Sequence, residues 1–318
     1  MHIAHITPRA VINPTIFSLN PPKDDIGSET FVNAAGIASV QLPEAIRAAI
    51  TEFKNEPHVS GALLLRGLPV GVLPDTPPTP TTPTTKDHTS EMTLLAVAKM
   101  LGEPVGYKPE LGGRIIQNLV PTQANQDRQV STSSKVSLMF HTEAAFHPHR
   151  PAYLLLLCLK GDDNAFTTLA SIREVLPHLS ADVKKTLFEP RFRTAVDESY
   201  LNGRANVLGD LIPVLSGNAD KPTMVFDADL MVGIDDEAQA ALHALSHAVE
   251  KYHTSVCLQQ GDLLIVDNAV AVHGRSSYTP RFDGTDRWLQ RTFVVNGLEA
   301  SDTDREGRVI VTVFGTAQ

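Results

Sequence analysis

The chain has 318 residues, with 27 Lys plus Arg against 36 Asp plus Glu and a formal net charge of −9. That balance argues against a phosphate-tracking basic groove, and so against a nucleic-acid partner. Hydrophobic residues at 42% and charged residues at 20% exclude a disordered chain and supply apolar side chains for one compact core. The only cysteines, Cys158 and Cys257, sit in apolar runs, which excludes a disulfide scaffold and fits a reducing cytoplasm.

No segment approaches the roughly 18 unbroken apolar residues of a membrane span, and the longest run covers residues 153–159. Residues 1–5 lack the basic start and apolar block of a signal peptide. A soluble, cytoplasmic protein without membrane contact is expected.

Residues 43–55 open on Pro43 and Glu44 and repeat apolar residues at helical spacing, which predicts an amphipathic helix. Residues 62–65 predict a buried strand closed by Gly67 and Pro69. Residues 74–85, rich in Pro and Thr, block helix and cannot complete a sheet ladder, so residues 74–89 are expected to form a surface insert with no chemical role. A helix capped by Ser90 follows, with Leu94, Leu95, Ala98 and Leu101 on one side and Gly102 with Pro104 as its stop.

Beyond Gly113 the pattern becomes short extended segments at 114–120, 136–141, 153–159, 167–170, 224–227, 262–266 and 287–295, separated by turn residues. This predicts a β-sandwich or barrel. Two helical patterns interrupt it: 171–187, broken near Pro177 and restarted by Ser180, and 235–252, with Ala238, Ala241, Leu242, Leu245 and Val249 on one stripe.

The sharpest local signal is Phe140-His141-Thr142-Glu143 at the end of an extended segment. In a strand, residues i and i+2 leave the same face, so His141 and Glu143 can point at one atom. Taken alone the pair is weak, because 12 His and 36 acids in 318 residues give about one such pair by chance. A second histidine, His273, ends a strand entered through Gly261-Asp262. Two His and one carboxylate on neighbouring strands form a three-point face suited to non-haem Fe(II) and O₂, and the lack of a Cys ligand argues against structural zinc. Arg287, Leu289 and Arg291 share one face of a later strand, and two inward guanidinium groups call for anionic ligands. From these residues alone, a metal hydrolase or isomerase on a similar barrel and a metal-free binding sandwich stay open.

His141-x-Glu143, His273, and Arg287 fourteen residues further on resemble the clavaminate synthase-like branch of the Fe(II)/2-oxoglutarate-dependent oxygenases, a TauD-related group close to the hydroxylases of free arginine, lysine and asparagine. That branch uses Glu where the wider superfamily usually has Asp. The resemblance takes in residues 63–69, the Pro/Thr insert, 167–171, 261–268 and 280–289, and so spans about 60 to 295.

The resemblance implies a mainly β fold with flanking helices, a double-stranded β-helix or jelly roll, in a single oxygenase domain over 1–318. Fe(II) would sit on His141, Glu143 and His273, with 2-oxoglutarate and O₂ as co-substrates. Arg287, assisted by Thr168, would hold the distal carboxylate of 2-oxoglutarate, and Arg291 the substrate's α-carboxylate. Gln117, Ser131 and Glu143 would hold the amino end, and Asp227 with Asp229 a cationic side chain. His147 and His149 are expected not to be ligands, with His147 at the pocket mouth, and residues 200–221 to form a lid. The activity implied is hydroxylation of a free L-amino acid with a basic side chain at its β or γ carbon. A neutral amino acid, cyclisation or desaturation are alternatives, and a homodimer stays open.

Overall fold

The computed structural model describes residues 4–6, 26–56 and 58–316. Strands β1 (Ala4–Ile6) and β2 (Ala62–Leu65) accompany three helices, α1 (Glu29–Ser39), α2 (Glu44–Asn55) and α3 (Thr89–Leu101). Then come β3 (Glu103–Tyr107), β4 (Gln117–Leu119), β5 (Leu138–His141), β6 (Tyr153–Lys160) and β7 (Phe166–Ser171). The next stretch carries α4 (Ile172–Val175), α5 (Ala181–Leu187), β8 (Phe192–Thr194), α6 (Glu198–Leu201), β9 (Leu215–Asn218), β10 (Lys221–Met224), β11 (Met231–Gly233) and α7 (Asp236–Tyr252). Strands β12 (Thr254–Cys257), β13 (Leu263–Asp267), β14 (Ala271–Arg275), β15 (Trp288–Val295), β16 (Arg305–Glu306) and β17 (Val309–Ile310) complete the order.

The large sheet runs β1-β2-β13-β6-β15-β3-β17-β16, with β4 also on β15, and a smaller sheet runs β12-β7-β14-β5. Side-chain alternation explains why they stack. In β6, Leu155, Leu157 and Leu159 pack against the helical layer that holds Ile46 of α2 and Leu94 of α3. Leu154, Leu156 and Cys158 face the other way, with Leu169 of β7 and Ala271 of β14 from the small sheet. The small sheet turns Ala170 and Val272 outward onto α7, through Leu242 and Leu245. Two sheets enclosing one core, with helices on the outside, form a jelly roll.

Local chemistry sets the boundaries. Pro43 precedes α2 as predicted, Ser180 accepts from Val183 N to restart α5, and Asp235 accepts from Ala238 N to start α7. Ser90 is not a cap. It lies in the first turn of α3 and its hydroxyl donates to Glu91 Oε2 at 3.1 Å, while Asp87 accepts from Thr89 N. The Pro/Thr stretch carries no helix or strand, but it is tied down: Thr76 Oγ1 donates to Asp286 O at 2.6 Å and Asn118 Nδ2 to Thr82 Oγ1 at 2.9 Å. Of the segment 224–227, only Met224 is strand, and a turn starts at Asp227. No helix among the described residues is long and apolar enough to cross a membrane.

Candidate active site

His141 ends β5 and pairs with His273 of β14, with ring centroids 4.3 Å apart. Glu143 follows β5 directly. The three residues each offer a ligand atom, all within 4.8 Å of one another, the one such group among the described residues. His141 Nδ1 lies 2.8 Å from Met139 O; a proton there donates to the carbonyl and leaves Nε2 for a metal. Glu143 Oε2 is buried, accepts no hydrogen bond, and lies 3.5 Å from His273 Nε2. A divalent cation between the histidines satisfies that orphan oxygen, and a hard carboxylate with two imidazoles suits Fe(II).

Electrostatics keep the set ready for metal. Burial pushes the Glu143 carboxyl up, but Arg291, His273 and His141 outweigh it and hold it at about 2. Burial, then the nearby His141, holds His273 down at about 4 against the pull of Glu143. At neutral pH both are in the deprotonated, metal-binding form. The backbone of Glu143 is clamped by Asn268, whose Oδ1 accepts from Glu143 N at 2.8 Å and whose Nδ2 donates to Glu143 O at 3.1 Å and Pro151 O at 2.9 Å. The chain then turns sharply through Ala144, in the left-handed region at φ 51°.

His141, Glu143 and His273 line a cavity of about 350 Å³ between the sheets, together with Arg287, Leu289 and Arg291. The volume falls in the range of small-molecule sites. As expected from strand parity, the two arginines and Leu289 project to the same side. Arg287 Nη2 donates to Thr167 Oγ1 at 3.3 Å.

Here the expectation for Thr168 is corrected. Thr167 and Leu169 face the cavity side of β7, whereas Thr168 shares the outer face with Ala170, so the hydroxyl beside Arg287 belongs to Thr167.

Ser131 lines the cavity. Gln117 is fully buried behind Arg291 instead, where its Oε1 accepts from Arg291 Nε at 2.9 Å and also from Nη2. It therefore orients the guanidinium rather than facing a ligand. Asp227 is buried in the cavity wall, bridged to His141 through the backbone. Burial raises its carboxyl above the ordinary range, against His141 and the N–H groups of Leu230 and Asp229 that it accepts from. Asp229 is exposed and does not join it, because the segment is a turn closed by Asp227 rather than a strand, and i and i+2 of a turn do not share a face.

His147 and His149 do not join the ligand set. His147 is packed between Tyr107, Phe146 and Phe314 rather than at the pocket mouth, and burial pulls its imidazole down to about 3. His149 Nε2 lies 2.8 Å from Asp304 Oδ2. Two residues escaped sequence reasoning. Asn268 carries no signal that separates it from a turn Asn, and Glu110, which lines the cavity and whose Oε2 accepts from Arg291 Nη2 at 2.7 Å, lies in an aperiodic stretch beside Gly112 and Gly113. Thr167 was within reach, since it has the parity of the core residue Leu169.

A jelly roll with an inward His-Glu-His face and two inward arginines defines a non-haem Fe(II) oxygenase. The family model for the Taurine catabolism dioxygenase TauD, TfdA family, matches residues 20–293, and the chain belongs to that family. It is 38% identical over 291 residues to the L-lysine 3-hydroxylase of Catenulispora acidiphila, covering 89% of this chain and 81% of the relative. Among solved structures it resembles asparagine oxygenase in complex with Fe(II), 2S,3S-3-hydroxyasparagine and succinate, at a TM-score of 0.90 and 33% identity over 97% of this chain and 99% of the other. The non-heme iron oxygenase OrfP with Fe, succinate and (3S)-hydroxy-L-Arg matches at a TM-score of 0.87 and 29% identity, covering 98% and 100%.

Proposed function

We propose that this chain is an Fe(II)/2-oxoglutarate-dependent hydroxylase of a free L-amino acid with a basic side chain, arginine or lysine type, oxidising its β or γ carbon. The observation that carries the side-chain assignment is Asp227: a buried, cavity-facing carboxylate whose own hydrogen bonds come only from backbone N–H groups. A cationic side chain offsets the cost of burying that charge. Asp197 and Glu198 also line the cavity, Glu198 paired with Arg128 Nη2 at 2.8 Å.

His141, Glu143 and His273 hold the metal, and the metal with 2-oxoglutarate and O₂ supplies the oxidising chemistry. Arg287 with Thr167 receives the distal carboxylate of 2-oxoglutarate. Arg291, held by Gln117, receives the α-carboxylate of the amino acid, and Ser131 and Glu143 face its amino end. Pinning that end would present the β and γ carbons to the metal. Leu154, Leu156 and Leu289 keep the cavity wall apolar and exclude water from the reacting carbon.

The reading treats residues 1–318 as one cytoplasmic oxygenase unit, with two unpaired cysteines. It takes 200–221 as a lid, supported by Tyr200, which is buried and lines the cavity at the start of that segment.

A neutral amide-bearing amino acid is the second reading, favoured by the exposure of Asp229, which leaves Asp227 without a paired acid. A panel of the twenty free L-amino acids with Fe(II), 2-oxoglutarate and O₂, read by mass, separates the two. Lysine or arginine gaining about 16 Da, and losing that gain in Asp227→Asn, supports the first. Asparagine or glutamine turned over equally by wild type and Asp227→Asn supports the second.

A further inference from the structure

Arg275 has no part in the function proposed above, although it is buried at 5% exposure in the cavity wall, two residues past His273 on the same face of β14. Its terminal nitrogens are given to one loop. Nη1 donates to Ser133 O, and Nη2 donates to Ser133 Oγ at 3.0 Å and to Val136 O at 2.7 Å. Ser133 Oγ in turn donates to Val130 O at 2.7 Å, so these contacts bracket Ser131. Strand pairing sets Arg275 opposite Thr167, whose hydroxyl accepts from Arg287, and both arginines line the cavity. Every acceptor they use is neutral, and among the described residues neither forms an ion pair with a carboxylate.

Two buried guanidinium groups side by side without an anion repel each other, and their burial is costly. The loop is the part able to give. Residues 131–137 carry no helix or strand, whereas both arginines stand on or beside strands paired on two sides. We propose that Arg275 is a positioning residue that couples the two ends of the site: a carboxylate arriving at Arg287 relieves the repulsion between the arginines and settles the 131–136 loop, and with it Ser131, for the amino acid. The inference rests on the assignments of Arg287 and Ser131 made above and adds the link between them. Linkage makes the coupling reciprocal, so the amino acid tightens the keto acid by the same factor.

The test is hydrogen exchange over residues 126–137, read by mass on anaerobic protein loaded with Fe(II). The protein is measured alone, with 2-oxoglutarate, and with 2-oxopentanoate, which keeps the keto acid and the chain length but has a methyl in place of the distal carboxylate. Each keto acid is added at a concentration that calorimetry shows to saturate. In wild type, 2-oxoglutarate is expected to slow exchange in the loop by roughly fivefold or more, and 2-oxopentanoate to leave it near the rate with Fe(II) alone. Arg275→Met loses the slowing. Ser133→Ala, which removes one contact and keeps the arginine, shows a smaller slowing and carries the comparison should Arg275→Met not fold. Calorimetry with L-lysine and L-arginine gives a second readout: wild type binds its amino acid roughly fivefold or more tighter with 2-oxoglutarate present, and in Arg275→Met that ratio falls towards one. A merely structural role lowers both affinities and leaves the ratio unchanged, which overturns the inference. Equal slowing by the two keto acids, or slowing that persists in full in the variants, overturns it as well. If neither amino acid binds, the substrate reading fails by itself, and the exchange rates still decide on Arg275.

Discussion

His141 and His273 face each other across an antiparallel strand pair with their rings 4.3 Å apart, and the register that aligns them breaks within two residues, between His273 and Arg275. Gly274 permits this. A side chain there would place its Cβ 2.6 Å from Leu138 O and 2.9 Å from Thr168 Oγ1, so only glycine lets the strands close up beside the metal ligands. The site is built by strand pairing, with Glu143 added from the turn that follows.

That added ligand depends on Asn268, which holds both the N–H and the C=O of Glu143. Asn268→Ala is expected to lower affinity for Fe(II) by roughly 10- to 100-fold, the usual effect of losing a residue that supports a ligand, with the fold retained. Calorimetric titration with Fe(II) under nitrogen checks it. Unchanged affinity would show that the turn through Ala144 holds Glu143 unaided.

Thr167→Val removes the hydroxyl beside Arg287 and is expected to raise the KM for 2-oxoglutarate by about two- to tenfold, with kcat little changed. Thr168→Val, on the outer face, leaves that KM as it was. The opposite ranking in steady-state succinate assays would restore Thr168 as the partner of Arg287.

Lys86 and Glu91 form a fully buried ion pair at 2.6 Å, and Glu91 Oε1 also accepts from Gln290 Nε2 at 2.7 Å, tying α3 to the strand that carries Arg291. Glu91→Ala strands the Lys86 ammonium in the core and is expected to cost about 3–5 kcal/mol. Replacing both, Lys86→Met with Glu91→Leu, costs much less, because no charge is left behind. Urea midpoints at constant m-value decide it, and a double variant worse than Glu91→Ala would contradict the argument.

Arg308 donates to Glu29 from Nε and Nη2 and to Glu103 from Nη1, at 2.6–2.8 Å, joining the chain's end to α1 and β3. The hydrogen bond from Arg308 lowers the Glu29 carboxyl. Burial pushes Glu103 up, but Lys99 and Arg308 outweigh it, so both carboxyls titrate below the ordinary value of 4.5. A lowered folded-state value contributes stability that is present above pH 4.5 and is lost as pH falls through the folded value. The stability gap between wild type and Arg308→Met is therefore expected to be widest near pH 7 and to narrow below about pH 4.5. A gap that holds steady down to pH 3 would place the contribution of Arg308 in packing alone.

The sequence carried the parts of this account that obey simple periodicity. The parity of Arg287, Leu289 and Arg291, the stop-and-restart at Pro177 and Ser180, and the His141, Glu143, His273 set all survive in the structure. It failed where a turn replaced a strand. Asp229 was paired with Asp227 on the assumption of extended backbone, but the Asp227 side chain closes a turn on itself. The resemblance set Gln117 against the substrate's amino end, yet β4 pairs Gln117 with Arg291, and that contact puts the amide behind the guanidinium. Glu110 and Asn268 act through contacts at sequence separations of 181 and 125, which no local pattern encodes.

The most direct test of the central claim is to measure succinate and hydroxylated amino acid together, in one reaction with Fe(II), 2-oxoglutarate, O₂ and a basic L-amino acid, for wild type and His141→Ala. The account predicts the two products in equal amounts for wild type and neither above background for His141→Ala. Hydroxylated amino acid without matching succinate, or undiminished turnover by His141→Ala, would contradict it.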